Sequence, residues 1–123
     1  MTFLYVALAS AAGAPWRYVV DQLIQGRFEG AFPLGTFVIN ISGAFLLGLL
    51  TGLVSSHILP ELTATIAGTG ALGAYTTFST LTWESLRLLE DGAVWEAAVN
   101  VGASVVVGLL VGAAGLALGL ALG

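Results

Sequence analysis

Hydroxyl-bearing side chains concentrate in one glycine-rich stretch of an otherwise apolar sequence. Residues 68–80 read GTGALGAYTTFST, and four of the last five positions carry hydroxyls: Thr76, Thr77, Ser79 and Thr80. Hydroxyls in membrane helices often bond back to the carbonyl one turn earlier, but four of them beside a run of glycines exceed that need. Tyr75 and Phe78 lie three positions apart, and the positive edges of their rings can face an anion. In isolation, two aromatic residues at this spacing more often pack in a core.

Two pairs of polar residues elsewhere show helical spacing. Thr36 and Asn40 are four positions apart, as are Asn100 and Ser104, so each pair shares one helix face. An amide NH₂ group offers two donors, to an anion or to a neighbouring helix, and it is costly in lipid unless it is paired. For both pairs, a polar pathway and ordinary helix packing remain open interpretations.

The composition places the chain in a membrane. Of its 123 residues 58% are hydrophobic and 8% are charged, and the mean hydropathy is +1.00, which no soluble domain of this size resembles. Only three residues are cationic, all arginine, so nucleic acid is excluded as a partner. We find no carboxylate in the middle of an apolar span to drive proton coupling, and no nucleophile–base pair, so we expect no enzyme.

Four apolar spans are predicted, at about 3–20, 34–56, 62–89 and 95–120. As one straight helix the third span would measure roughly 40 Å, whereas a bilayer core is about 30 Å thick. The excess length and the glycines predict two half-helices joined by unwound backbone near residues 70–76. Unwound backbone at that depth must be buried in protein or line a watery path, and broken membrane helices often hold ion sites. The predicted fold is a single all-α membrane domain.

Three segments resemble the motifs of a known family. Residues 13–18 (GAPWRY), 35–43 (GTFVINISG) and 70–80 (GALGAYTTFST) are similar, in order and spacing, to the three motifs of the CrcB/Fluc fluoride channels. The resemblance covers nearly the whole chain. It implies an antiparallel, dual-topology homodimer in the prokaryotic plasma membrane. Such dimers passively export fluoride through two pores and hold a structural sodium ion at the dimer interface.

The resemblance also implies roles for residues. Asn40 would be the pore asparagine, with Thr36 a hydroxyl one turn away. Tyr75 and Phe78 would hold the two positions of an aromatic box, with Tyr75 departing from the usual phenylalanine. The other implied pore residues are Thr76, Thr77, Ser79, Thr80, Asn100 and Ser104.

Three more residues receive structural roles from the resemblance. The backbone carbonyls of Gly70 and Gly73 fall at the sodium-binding positions. Arg17 matches the arginine of the first motif and is expected to serve structure or the vestibule rather than the pore.

A small multidrug-resistance-type transporter, also a four-span dual-topology dimer, is the main alternative. Such transporters need a membrane-embedded glutamate in their first span, and the first span here contains no acidic residue. A non-transporting assembly subunit is a further alternative. It would leave the hydroxyls of residues 76–80 unexplained.

Overall fold

The computed structural model describes residues 1–123, and every regular element in it is helical. We refer to residues 61–90 as the third segment, because three short helices and one longer helix there follow one another with a single interruption. The helices, in chain order, are α1 (Thr2–Gln25), α2 (Leu34–Ser55), α3 (Glu61–Thr63), a π-helix (Ala64–Leu72), α4 (Gly73–Tyr75), α5 (Phe78–Glu90) and α6 (Val94–Ala121).

Two prolines and one glycine mark three of the helix boundaries. Pro33 precedes α2 and Pro60 precedes α3, where a missing N–H costs no helical hydrogen bond. Gly92 has φ +82° in the turn between α5 and α6, a conformation that glycine adopts without strain. α1 continues to Gln25, beyond the predicted end near residue 20, because residues 21–25 contain no glycine or proline that would stop it.

α2 and α6 pack against each other along most of their length. Their glycines allow this close approach: a Cβ atom on Gly115 would lie 3.0 Å from the Leu49 nitrogen, and one on Gly52 would lie 2.8 Å from the Cα of Gly119. Small residues that bring backbones together are typical of membrane helix pairs. Both helices are also long and apolar enough to span a membrane.

The third segment leaves helical conformation at Thr76 and Thr77. Thr76 has ψ 159°, Thr77 has φ −150° and ψ 122°, and α5 begins directly afterwards at Phe78. The interruption is predicted near residues 70–76 and lies at the end of that range, because Gly70 and Gly73 are helical and only Thr76 and Thr77 are extended. The glycines serve packing instead: a Cβ on Gly70 would lie 2.8 Å from the Cβ of Ala9 in α1. The extended backbone falls on two β-branched residues, which favour it.

Candidate functional site

A two-point clamp joins α2 to the interruption. The Asn40 Nδ2 donates to the Thr77 carbonyl oxygen at 2.9 Å, and the Thr77 backbone N–H donates to the Asn40 Oδ1 at 2.8 Å. The interruption takes these two backbone groups out of the helical hydrogen-bond ladder, and buried backbone groups need partners. A carboxamide is suited to supply them because it combines donor and acceptor. Asn40 therefore positions the interruption, and one of its amide hydrogens remains for a ligand.

A cluster of hydroxyls lies where α5 begins. Thr77 is the N-cap of α5: its Oγ1 accepts from the Thr80 backbone N–H at 3.1 Å. The same hydroxyl donates to the Thr80 Oγ1 at 3.0 Å and lies 3.3 Å from the Ser79 Oγ. Thr76 differs, because its Oγ1 bonds back to the Leu72 carbonyl at 3.0 Å. Of the four predicted hydroxyls, three thus form one cluster at a helix N-terminus, where the helix dipole favours negative charge.

The two predicted aromatic residues line different cavities. Phe78 lies with Asn40 and Thr77 beside an open cavity of about 340 Å³. Tyr75 lines a separate apolar cavity of about 280 Å³ beside Trp16, and its hydroxyl is 3.0 Å from the Ser42 Oγ. The predicted aromatic box of Tyr75 and Phe78 is therefore not formed within one chain. The extended backbone between them removes the helical geometry that would have placed both rings on one face.

Thr36 contacts a carboxylate that the sequence analysis left out of the site. Thr36 is 2% exposed, and its hydroxyl donates to the Glu84 Oε1. Glu84 also lines a polar cavity of about 310 Å³ at the end of α5, together with Arg87 and Asp91. Glu84 could have been identified from the sequence as a carboxylate near the end of an apolar span, since such residues are usually functional. The Arg87 guanidinium lies over the Trp83 ring, 5.6 Å from its centroid.

Asn100 of α6 contacts α5. The Asn100 Nδ2 donates to the Ser85 Oγ at 2.8 Å, and the Ser85 hydroxyl donates to the Leu81 carbonyl at 2.7 Å. Asn100 is fully buried, and Ser85 and Ser104 are nearly so. Nothing bonds to the Asn100 Oδ1 or to the Ser104 Oγ. Sequence reasoning missed Ser85, because a lone serine in the later turns of α5 has no distinguishing pattern.

Arg17 reaches the interruption from α1. Its Nη1 donates to the Thr76 carbonyl at 3.5 Å. Arg17 also lines a cavity of about 180 Å³ with Thr36, Thr77 and Thr80. The structure thus brings Arg17 to the same short stretch of backbone that Asn40 holds from the other helix.

The two glycines predicted at a sodium site differ in their surroundings. The Gly70 carbonyl oxygen accepts a hydrogen bond from the Ser10 hydroxyl at 3.2 Å. By contrast, the backbone carbonyl oxygens of Gly73, Ala74 and Tyr75 accept no hydrogen bond from a backbone N–H group. These three oxygens end the first half of the segment, where a helix carries partial negative charge.

Comparison with known proteins decides the family. A family model described as "CrcB-like protein, Camphor Resistance (CrcB)" matches residues 4–116. The chain belongs to the CrcB-like family.

Curated members of the family align with nearly the full chain. "Fluoride-specific ion channel FluC 1" of Streptomyces avermitilis is 47% identical over 109 residues, covering 89% of this chain and 88% of the relative. The protein of the same name from Frankia casuarinae is 42% identical and covers 96% and 95%. "Fluoride-specific ion channel FluC" of Maridesulfovibrio salexigens is 40% identical and covers 95% and 94%. With its apolar helices, this member of the CrcB-like family is a multi-pass membrane protein.

Proposed function

We propose that this chain forms a fluoride-selective channel that passively exports fluoride down its electrochemical gradient. The carrying observation is the match of nearly the full chain to proteins named fluoride-specific ion channels. In this chain the interruption, which is clamped by Asn40 and rich in hydroxyls, supplies a polar site. A channel needs no coupling residue. A negative-inside potential supplies about 2.3 kcal/mol per charge per 100 mV. The family match gives no support to the small multidrug-resistance-type transporter.

The pathway would pass the uncharged donors around the interruption. Fluoride is small and strongly hydrated, so a pore must replace its water with donors, yet bind it weakly enough to release it. Uncharged donors surround the interruption and can meet both needs: the hydroxyls of Thr77, Ser79 and Thr80, the free amide hydrogen of Asn40 and the ring edge of Phe78. Thr36 would extend the pathway toward Glu84. Asn100 and Ser104 would line it from α6.

Two copies in antiparallel orientation would complete the pores. Phe78 is 79% exposed beside the open cavity at Asn40, and a large exposed aromatic residue next to a polar site fits coverage by a second copy. The chain carries three arginines and no lysine, so the positive-inside rule orients it little. That charge pattern supports insertion in both orientations, with the interruption near the middle of the membrane.

A sodium ion would be held by backbone carbonyls at the end of the first half of the third segment. Gly73 fits this assignment because its carbonyl oxygen has no hydrogen bond, and oxygens are the ligands that hard cations prefer. Gly70 fits less well, since its carbonyl already accepts from Ser10. The ion would supply positive charge that holds two such helix ends together across the dimer axis.

Fluoride efflux from proteoliposomes tests the proposal. Purified protein is reconstituted into vesicles loaded with potassium fluoride, and a fluoride electrode follows efflux after valinomycin is added. We expect fast fluoride efflux that falls when sodium is removed from both sides, and no comparable chloride efflux. Vesicles that retain their fluoride at a protein density of several dimers per vesicle would reject the channel.

A further inference from the structure

Two unpaired polar atoms on α6 point to a ligand. The Asn100 Oδ1 and the Ser104 Oγ are buried and have no hydrogen-bond partner. They lie one turn apart on α6 and therefore on one face. Buried polar atoms in native proteins almost always have a partner, and an exception calls for an explanation. The two atoms do not bond to each other, so each is free to contact a ligand.

The amide of Asn100 can present either of two faces to that ligand. A carboxamide has nearly the same shape after a half-turn about its last side-chain bond, which exchanges oxygen and nitrogen. In the structure its nitrogen donates to Ser85, and its oxygen is left over. After the half-turn, the amide oxygen would accept from the Ser85 hydroxyl, and the two amide hydrogens would take the place of the unpaired oxygen.

Ser85 makes both orientations feasible because a hydroxyl can donate as well as accept. At present it accepts from Asn100 and donates to the Leu81 carbonyl. In the turned state it would donate to Asn100 instead. Leu81 lies inside α5, where the carbonyl has the ordinary helical donor available four residues later. The turned state gives up one hydrogen bond and gains two free donors.

We infer that Asn100 is an orientation-switching fluoride ligand, which rests on the proposed function. Without an anion, the orientation with more internal hydrogen bonds is favoured. A partly dehydrated fluoride needs donors, so it selects the turned amide together with the hydroxyl of Ser104. A ligand shifts such an equilibrium by its differential affinity for the two states. The free site therefore presents the unpaired Asn100 Oδ1, and only an ion that binds two donors turns the amide.

Selective nitrogen-15 labelling of asparagine tests the inference on the intact protein. The chain contains two asparagines, Asn40 and Asn100, so two side-chain NH₂ signals are expected. The Asn100→Leu variant, which has no amide, assigns them. Wild-type protein in detergent or nanodiscs is titrated with sodium fluoride at constant ionic strength, with sodium chloride as the balancing salt. We expect the Asn100 amide protons to shift downfield with fluoride and to show coupling to fluorine-19.

Flux measurements separate this inference from the proposed function. We expect Asn100→Leu to lower fluoride efflux by roughly 10- to 100-fold, as for loss of a hydrogen bond to a charged group. If the wild-type chain conducts fluoride while the Asn100 signals stay unchanged through saturating fluoride, the switching ligand is wrong and the channel stands. If the wild-type chain conducts no fluoride, the proposed function itself fails. The titration on wild-type protein decides the matter even if Asn100→Leu does not fold.

Discussion

Asn40 holds Thr77 by both of its backbone groups, with an amide donating at 2.9 Å and accepting at 2.8 Å. The pairing resembles one rung of a β-ladder made by a side chain. It stabilises extended backbone in a segment that is helical on both sides. The same residue that offers a donor to the cavity thus also fixes the shape of the neighbouring hydroxyl cluster.

Replacing Asn40 by aspartate should remove the clamp with almost no change in size. A carboxylate can accept from the Thr77 N–H but cannot donate to the Thr77 carbonyl, and two acceptors would then face each other. Loss of one partner of a buried pair costs about 1–3 kcal/mol, and more for a charged group. We expect fluoride efflux to fall by at least about tenfold, since each 1.4 kcal/mol is a factor of ten. The fluoride electrode assay measures it.

Thr51→Val is the matched control on the same helix. The Thr51 hydroxyl bonds back to the Leu47 carbonyl at 2.8 Å and is exposed, so its loss should leave efflux close to wild type. Asn40→Asp efflux equal to that of Thr51→Val would show that the clamp has no part in conduction.

Thr77→Val should loosen the start of α5. The variant keeps the side-chain shape but loses the cap to the Thr80 N–H and the contacts to the Thr80 and Ser79 hydroxyls. Loss of an N-cap typically costs about 1 kcal/mol. We expect lower thermal stability in detergent and reduced fluoride efflux. Thermal stability is measured by size-exclusion chromatography of samples that have been heated.

Thr82→Val provides the comparison for the cap. Its hydroxyl lies on the same helix, is exposed, and bonds back to the Phe78 carbonyl at 3.0 Å. This variant should match wild type in both measurements. A Thr77→Val protein as stable and as active as Thr82→Val would contradict the role of the cap.

Much of the architecture could be predicted from local sequence, because hydropathy and breakers are local signals. Pro33 and Pro60 directly precede helices, and the four predicted apolar spans correspond to helical segments. The exact interruption could not be predicted in this way. Gly70 looked like a breaker, but its missing side chain makes room for Ala9, and Thr77 is extended because a distant residue, Asn40, supplies its partners.

The candidate site was predictable in its residue types and not in its pairings. Asn40, Asn100 and the hydroxyls were recognised as polar groups in apolar spans. Their partners depend on which helix faces lie together, and spacing along one helix does not specify that. Thr36 with Glu84 and Asn100 with Ser85 are pairings of this kind. Tyr75 and Phe78 line different cavities of one chain for the related reason that helical spacing applies only within an unbroken helix.

Gly115→Ala should destabilise the contact between α2 and α6. An added Cβ would meet the Phe45 carbonyl and lie 3.0 Å from the Leu49 nitrogen. Both are backbone atoms that cannot move aside. Overpacking of this kind costs typically about 1–3 kcal/mol, and we expect earlier loss of the folded species on heating. Gly102→Ala in the same helix is the control, because nothing lies within 4 Å of its added Cβ. Equal melting of the two variants would refute the tight contact.

Tyr75→Phe should affect conduction far less than Phe78→Ile does. Phe78 lines the cavity of Asn40 and Thr77, whereas Tyr75 lies in a different cavity and contacts Ser42 through its hydroxyl. Removing that hydroxyl deletes one neutral hydrogen bond, worth about 1 kcal/mol of stability, and changes no group near the hydroxyl cluster. Phe78→Ile removes the aromatic ring that lines the cavity, so its fluoride efflux should drop clearly below wild type. Both variants are compared at equal protein density with the electrode assay. Efflux that falls as far in Tyr75→Phe as in Phe78→Ile would show that the two rings act together across chains, since within one chain they do not share a cavity.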